Sequence, residues 1–389
     1  MTKRTRRLAL SVSGTLALAL TAAGCGTING TAVLSPRTEV GKGEGKVVVL
    51  TWPGYVEDGT DDPSVNWVTP FEQQTGCQVE YKNYGTSDEA LNLMRSGGYD
   101  VVAASGDLTT RLWLGKQVQP LNTDLLTSWP KIFPFLKNTE WTTFDGKPYG
   151  IAQGWGANLL TYNTNVVKPA PTSWDSVFGE ASKYKGKVTA YDSPIYIADA
   201  ALYLMKHRPE LKIKNPYALD SNQLDAAVKL LSAQKPNLGS YWSDYAAEQQ
   251  AFTGGDTVLG TAWQLTINAI DKPNIKGIVP REGATAWSDS WMISSYTSRP
   301  NCSYKWVDYI TSPKVNAESA QYFGESPANA DACKYTEKGF CEQYHAADEK
   351  YANQLWYWRT PTTECLDGRK GVKCTNYADW TAAWTAMKG

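Results

Sequence analysis

Lys46-Val47-Val48-Val49-Leu50-Thr51-Trp52-Pro53-Gly54-Tyr55 decides how this chain is read. An apolar, β-branched run such as 46–50 reads as a buried strand, and Pro53-Gly54 stops it with a turn. Two large aromatics, Trp52 and Tyr55, are thereby held at the carboxyl end of a first strand. Open α/β sheets place their ligands there. Taken alone, the pair reads equally as packing at a strand end or as the lip of a ligand site.

The residues downstream repeat the alternation. Residues 70–76 read as the end of a helix with a glycine stop, 78–82 as a second strand, and 87–98 as a helix opening on Ser87-Asp88-Glu89. Tyr99-Asp100-Val101-Val102-Ala103-Ala104 reads as a third strand closed by the polar turn Ser105-Gly106-Asp107. Strands alternating with helices predict a parallel sheet covered by helices, an α/β fold. After a looser stretch at 113–150, rich in Trp and Pro, residues 154–163 read as a strand, and Ser173 as the cap of a helix. A second α/β run spans 185–283, with strands at 187–190 and 258–263 and a helix at 222–232. Residues 286–293 read as a strand returning to the first body, followed by helices at 304–311 and 315–322. No repeat of solenoid period is present.

Upstream, Lys3, Arg4, Arg6 and Arg7 precede an apolar run at 8–23 and then Ala22-Ala23-Gly24-Cys25. A basic head, an apolar middle and a small-residue site make residues 1–24 a secretory signal. Cys25 after Ala-Gly resembles the bacterial lipoprotein cleavage box, with Ala22 where Leu is usual. That resemblance implies that Cys25 becomes a lipidated first residue, anchored through buried methylenes; the alternative is a plain secretion signal. Residues 25–45 read as a flexible tether. No other stretch is apolar enough to span a bilayer, and 46–389 is long enough for about two domains. Setting the four signal cations aside leaves 34 of the 38 basic residues against 39 acidic ones, a net charge of −5. With no long basic run, nucleic acid is not an expected partner.

Six further cysteines suit an exported, disulfide-bonded chain. Cys333–Cys341 and Cys365–Cys374 each close a short loop, which leaves Cys77–Cys302 as the third pair among fifteen possible connectivities. Zinc is not expected: the chain has two histidines, His207 and His345, and no Cys-x-x-Cys. Nucleophile-elbow, metalloprotease and phosphate-loop motifs are missing, so neither an enzyme nor a cofactor is expected, although a carboxylate pair for glycoside hydrolysis is a three-dimensional matter. Aromatics or acids instead recur at expected strand ends: Trp52 and Tyr55, Ser105 and Asp107, Trp263, and Trp287 with Asp289. Tryptophan outnumbers phenylalanine 16 to 8. Indole faces with a carboxylate suit an organic cation carrying methylenes; the same faces could stack on sugars, and many tryptophans must simply fill cores.

In order along the chain, Trp52-x-x-Tyr55, Tyr99-Asp100-Val101-Val102 with Ser105, Trp155-Gly156, Thr172-Ser173-Trp174, Tyr184-Lys185-Gly186-Lys187, Trp263, and Glu282-Gly283 ahead of Trp287-x-Asp289-Ser290 resemble the solute-binding proteins of bacterial ABC importers, and among them the spermidine/putrescine-binding branch. The resemblance covers roughly 46–330. It implies a two-lobed periplasmic-binding-protein fold, type II-like, with a hinge between lobes: 46–160 plus 288–330 in lobe 1, and 165–283 plus 335–389 in lobe 2. It implies a monomer, anchored outside the cell membrane, that hands solute to a permease. Trp52, Tyr55, Trp263 and Trp287 would box a methylene chain and Asp289 would bind an amine, with Ser105 and Trp155 nearby. Two positions depart from the branch: Asp107 stands where an aromatic is common, and in Tyr191-Asp192-Ser193-Pro194-Ile195-Tyr196 only Asp192 remains of an acidic cluster. Asp107 would then replace the missing acid, or the ligand would carry fewer amines. Outside this class stand a sugar carrier, a secreted carbohydrate hydrolase and an adhesive surface protein.

Overall fold

The computed structural model describes residues 31–270 and 272–389. The signal segment 1–24, Cys25 and the start of the tether lie outside the described residues. In chain order the strands are β1 Lys46–Thr51, β2 Gln78–Asn83, β3 Val101–Ala104, β4 Thr143–Phe144, β5 Lys147–Pro148, β6 Gly150–Asn163, β7 Val188–Tyr191, β8 Leu238–Trp242, β9 Leu259–Trp263, β10 Ile275–Ile278, β11 Ala284–Ile293, β12 Ser326–Pro327 and β13 Leu355–Tyr357. A single path of hydrogen-bonded strands runs β2-β1-β3-β11-β6-β9-β7-β8.

β1 lies parallel to β2 and β3, and β7 lies parallel to β8 and β9. Two long antiparallel strands join these parallel groups. β6 pairs with β11 through its first part, Gly150 to Ala157, and with β9 and β10 through its second, Asn158 to Asn163. The chain therefore crosses from one half of the sheet to the other on β6 and returns on β11. The register of β6 against β11 shifts between Asp289 and Ser290, so that Gln153 is the extra residue of a bulge. Such bulges bend a strand and re-aim its side chains, and here the bend falls at Asp289.

Local chemistry accounts for the elements beside β1. Thr86 caps the helix Ser87–Ser96 by accepting from the Glu89 amide, and Asp88 and Glu89 face the positive end of its dipole. Gly54, at φ 94°, makes the turn after β1 that a side chain would strain. Ser105-Gly106-Asp107 is not the expected loop. The helix Gly106–Leu114 begins there with Ser105 at its N-cap, making no side-chain cap bond; its hydroxyl goes to Asp289 instead.

The sulfurs pair as Cys77–Cys302, Cys333–Cys341 and Cys365–Cys374. The end of the chain divides. The helix Tyr377–Lys388 packs on the helix Ser221–Gln234 of the β7–β9 half. Tyr344 and Tyr351 instead meet the first part of β6 and β12: Ser326 donates to the Tyr344 carbonyl and Tyr351 packs on Trp155. Residues around 340–351 therefore depart from the grouping of all of 335–389 with the second half. Aromatic burial holds the centre, with Trp155, Trp291, Trp306 and Tyr55 all fully buried.

Candidate ligand site

The ends of two strands and the middle of a third meet a helix N-terminus between the two halves. Trp52 directly follows β1, β9 ends on Trp263, and β11 contributes Trp287 and Asp289 from its interior, not from the strand end expected of them. Ser105 arrives at the helix start after β3. With Phe323 and Trp358 these residues surround a void of about 10 Å³, room for about one water. An open cleft of about 400 Å³ adjoins it, sharing Trp52, Trp263 and Phe323 and reaching Tyr84 on one side and Tyr245 on the other. A larger groove of about 590 Å³ lies around Trp67, Asp308 and Glu318 and shares no residue with the void; without a buried charge it offers less specificity than the smaller space.

The rings form a continuous lattice. Trp263 meets Trp52 at 6.3 Å and Trp287 at 6.4 Å, both edge to face, and Trp287 meets Phe323 at 6.0 Å. Trp52 also packs on Tyr84 at 4.4 Å. Edge-to-face contacts leave ring faces turned to the space between them, and those faces attract cations.

Asp289 is the charge of the site, and its hydrogen bonds fix its protonation. Ser105 donates to Oδ1, and the Tyr55 hydroxyl lies 2.7 Å from Oδ2. The same hydroxyl lies 2.7 Å from Glu325 Oε2. A phenol has one proton, so it donates to one carboxyl and accepts from the other. Glu325 is fully buried, and burial followed by the charge of Asp289 pushes its carboxyl far up. Glu325 is therefore the neutral acid: its Oε2–H points at Tyr55, Tyr55 donates to Asp289, and Gln153 Nε2 donates to Glu325 Oε1 at 3.3 Å. Burial pushes Asp289 up to about 6 against the opposing pull of Ser105 and Tyr55, and no basic side chain among the described residues offsets it. At neutral pH it is a buried anion held by two hydroxyls and facing an aromatic void.

The residues singled out in the sequence separate in space. Trp52, Ser105, Trp263, Trp287 and Asp289 line the void. Tyr55 stands behind it, fully buried, packed on Phe323 at 4.4 Å and acting through its hydroxyl. Asp107 is not in the void: Ser87 donates to it at 2.9 Å and Arg111 lies 3.7 Å away. Trp155 packs among Phe135, Tyr351 and Tyr357. Asp192 is ion-paired with Lys388 at 2.5 Å. Phe323, Glu325 and Trp358 were not foreseen. Phe323 ends a helix at Gly324, φ 90°, and that glycine stop was the one available signal.

One glycine sets the position of the box. A Cβ at Gly156 would lie 2.6 Å from Trp287 Cζ2, a contact the rigid ring relieves only by moving. Overpacking of this kind costs about 1–3 kcal/mol. Gly156→Ala should lower ligand affinity at least about tenfold while the protein still unfolds cooperatively, as titration and a thermal melt would show. Unchanged affinity would mean that Trp287 is no wall of the site.

The profile of the family described as bacterial extracellular solute-binding protein matches residues 66–353. Spermidine/putrescine-binding periplasmic protein 1 of Haemophilus influenzae is 25% identical over 313 residues, covering 78% of this chain and 81% of that protein. A putrescine-binding periplasmic protein of Pseudomonas aeruginosa is 27% identical over 289 residues, covering 69% and 74%. Among solved structures, the spermidine/putrescine ABC transporter substrate-binding protein of Streptococcus pneumoniae superimposes with a TM-score of 0.67 at 19% identity, covering 88% of this chain and 97% of the other. The two halves joined by β6 and β11 are thus the fold of periplasmic solute-binding proteins, which bind and do not transform, and the chain belongs to the bacterial extracellular solute-binding protein family.

Proposed function

We propose that the protein binds a small organic cation, foremost a polyamine such as spermidine or putrescine, between its two lobes and delivers it to the permease of an ABC importer. The observation that carries this is Asp289, a buried carboxylate with no basic partner among the described residues, facing Trp52, Trp263 and Trp287. An ammonium there gains a charge-assisted hydrogen bond and ring faces together. The names of the relatives agree with that chemistry. The lobes would be 46–160 with 288–330, and 165–283 with the C-terminal helix, hinged where β6 and β11 cross. A lipid on Cys25 would hold the protein, as a monomer, at the outer face of the cell membrane. A void of about 10 Å³ is smaller than any polyamine, so the ligand enters an opened cleft and favours closure through contacts with both lobes.

A second reading, a hydroxylated solute such as a sugar, is favoured by one observation. The indole N–H groups of Trp52, Trp287 and Trp358 have no partner among the described residues, and hydroxyl oxygens accept from such donors. A thermal-shift panel of amines, betaines, amino acids and sugars separates the two, since a ligand of the native state raises Tm. A rise with spermidine or putrescine is expected; a rise with a sugar and with no amine would overturn the cation reading.

The same carboxylate predicts the pH dependence. Cation binding needs Asp289 ionised, and its folded pKa is about 6. Affinity should hold from pH 8 to 7, then fall by a factor approaching tenfold per unit below about 6 as the carboxyl takes its proton. A tryptophan-fluorescence titration with one amine from pH 8 to 5 checks this, and a flat profile would remove Asp289 from the site.

A further inference from the structure

Residues 33–45 do not hang free as the tether expected over 25–45. They are pinned to the half built on β1, β2 and β3, at its end away from the void. Val33 donates its amide to the Ser295 carbonyl at 2.7 Å. The Arg37 carbonyl accepts from Asn122 Nδ2 at 2.9 Å. Asn301 Oδ1 accepts from the Gly41 amide at 2.8 Å and from Arg37 Nη2 at 3.2 Å. The helix Pro300–Ile310 has Arg299 at its N-cap, with no side-chain cap bond. Glu44 supplies the cap from outside the helix: Oε1 accepts from the Asn301 amide at 3.0 Å, and Oε2 from the Cys302 amide at 2.9 Å. A carboxylate there satisfies free amides and meets the positive end of the helix dipole.

Fixing Val33 shortens the reach of the chain. From Cys25 to Val33 it spans at most about 29 Å, against about 75 Å if everything before Lys46 hung free. The point of attachment is one pole of the molecule. Ser295 lies just past β11, and β6 starts beside Met292 at the same end and runs away to Asn163. A strand of that length covers about 40 Å. Trp287 and Asp289 pair with Gly156 and Gly154, near its middle. The void is therefore midway along the molecule, and the leash leaves from the end.

Exposed apolar side chains gather at that end. Val33 is 46% exposed, Leu34 42% and Leu114 61%. Ser295 joins them: its carbonyl takes the Val33 amide, its own amide goes to the Gln117 carbonyl, and its hydroxyl donates to the Lys116 carbonyl, just after Leu114. Lys116 is itself exposed. Its apolar stem and charged head suit a lipid–water boundary, and apolar side chains beside it gain by entering one.

We propose that residues 33–44 are a docked strap, and that the face from which it leaves, with Val33, Leu34, Leu114 and Lys116, rests on the lipid surface. This rests on the reading of Cys25 as a lipid anchor. Chain length selects the bilayer as occupant, since a leash of about 29 Å holds these side chains close to the headgroups whatever else is in solution. A protein standing on this face keeps its cleft clear of the bilayer and open to solute.

The test uses the whole lipid-bearing protein on vesicles of equal parts phosphatidylethanolamine and phosphatidylglycerol, with a quencher on the headgroups. One fluorophore is placed on Leu114→Cys or on Val166→Cys, which is 49% exposed and lies just past the far end of β6. The Leu114 label should lose at least about twice as much emission as the Val166 label, given the short leash and about 40 Å of strand between the two ends. Asn301→Ala with Glu44→Ala unpins the strap. It should bring the two losses together while amine affinity stays within about threefold of wild type. In hydrogen exchange the Val33 and Gly41 amides should be slowed at least about tenfold in wild type relative to that variant; equal, fast exchange would remove the strap. Equal quenching of both labels on wild-type protein that floats with the vesicles would sink the lipid-facing surface and leave the anchor standing. Protein that does not float removes the anchor and this face with it. A Leu114 label already shielded in solution, on protein with the mass of a dimer, would give the face to a second copy and overturn the proposal.

Discussion

Asp289→Asn is expected to abolish the amine-induced rise in Tm and to weaken amine binding by about two orders of magnitude or more, while the ligand-free protein unfolds at or above the wild-type temperature. Both halves follow from the same burial. In the complex, Asp289 is the charge partner of an ammonium inside an aromatic void. Truncating one partner of a buried, hydrogen-bonded charge pair costs about 2–5 kcal/mol, because the other charge is left unmatched. Without ligand the carboxylate is a cost: burial has already moved its pKa to about 6. A neutral amide of the same size removes that cost. Ser105 can rotate its hydroxyl to accept from the new amide, while Tyr55 keeps an oxygen to donate to. The variant therefore separates binding from folding. A folded Asp289→Asn protein whose amine affinity stays within about threefold of wild type would show that the carboxylate is not the ion partner.

Much of the fold could be read from residues because it rests on local patterns. The apolar run at β1, the capped helix Ser87–Ser96 and the alternation that follows require no distant information. Strand ends were also legible, and with them Trp52 just after β1 and Trp263 at the end of β9; Trp287 lies inside β11 and not at the strand end expected, and its place in the site comes from the pairing of β11 with β6. Carboxylates behave differently. Asp107, Asp192 and Asp289 look alike in sequence, and what distinguishes them is who arrives. Arg111, four residues on, meets Asp107, and Lys388, from the last helix, meets Asp192; among the described residues no cation comes to Asp289. Glu325 was hidden for the same reason, since its neutral state is imposed by burial and by the charge of Asp289, which reaches it from another strand through Tyr55.

Replacing Cys77 and Cys302 together by Ser should lower Tm by roughly 10 °C at about 2 °C per kcal/mol, with ligand affinity at 25 °C changed less than about threefold. The bridge spans 225 residues of sequence. Closing so long a loop removes about 5 kcal/mol of chain entropy from the unfolded state in the loop-closure account, against about 2.5 kcal/mol for each of the short bridges, which span 8 and 9 residues. The long loop includes β3, β6, β7, β9 and β11, so the unfolded chain without the bridge regains freedom over most of its length. The bridge itself ties the start of β2 to the helix Pro300–Ile310, which packs on β1 and β11. Neither end reaches Asp289 or the tryptophans around it, so the site should survive the loss. Both cysteines are fully buried, and a Cβ at Gly43 would lie 2.5 Å from Cys77 Sγ. The segment before β1 thus lies directly over the sulfurs, and a reductant reaches them only after that segment lifts. Removing Cys333 and Cys341 instead should cost about half as much. A Tm within about 2 °C of wild type for the Cys77 and Cys302 double variant would mean that the unfolded chain is already compact without the bridge, and that the loop-closure term does not govern this fold.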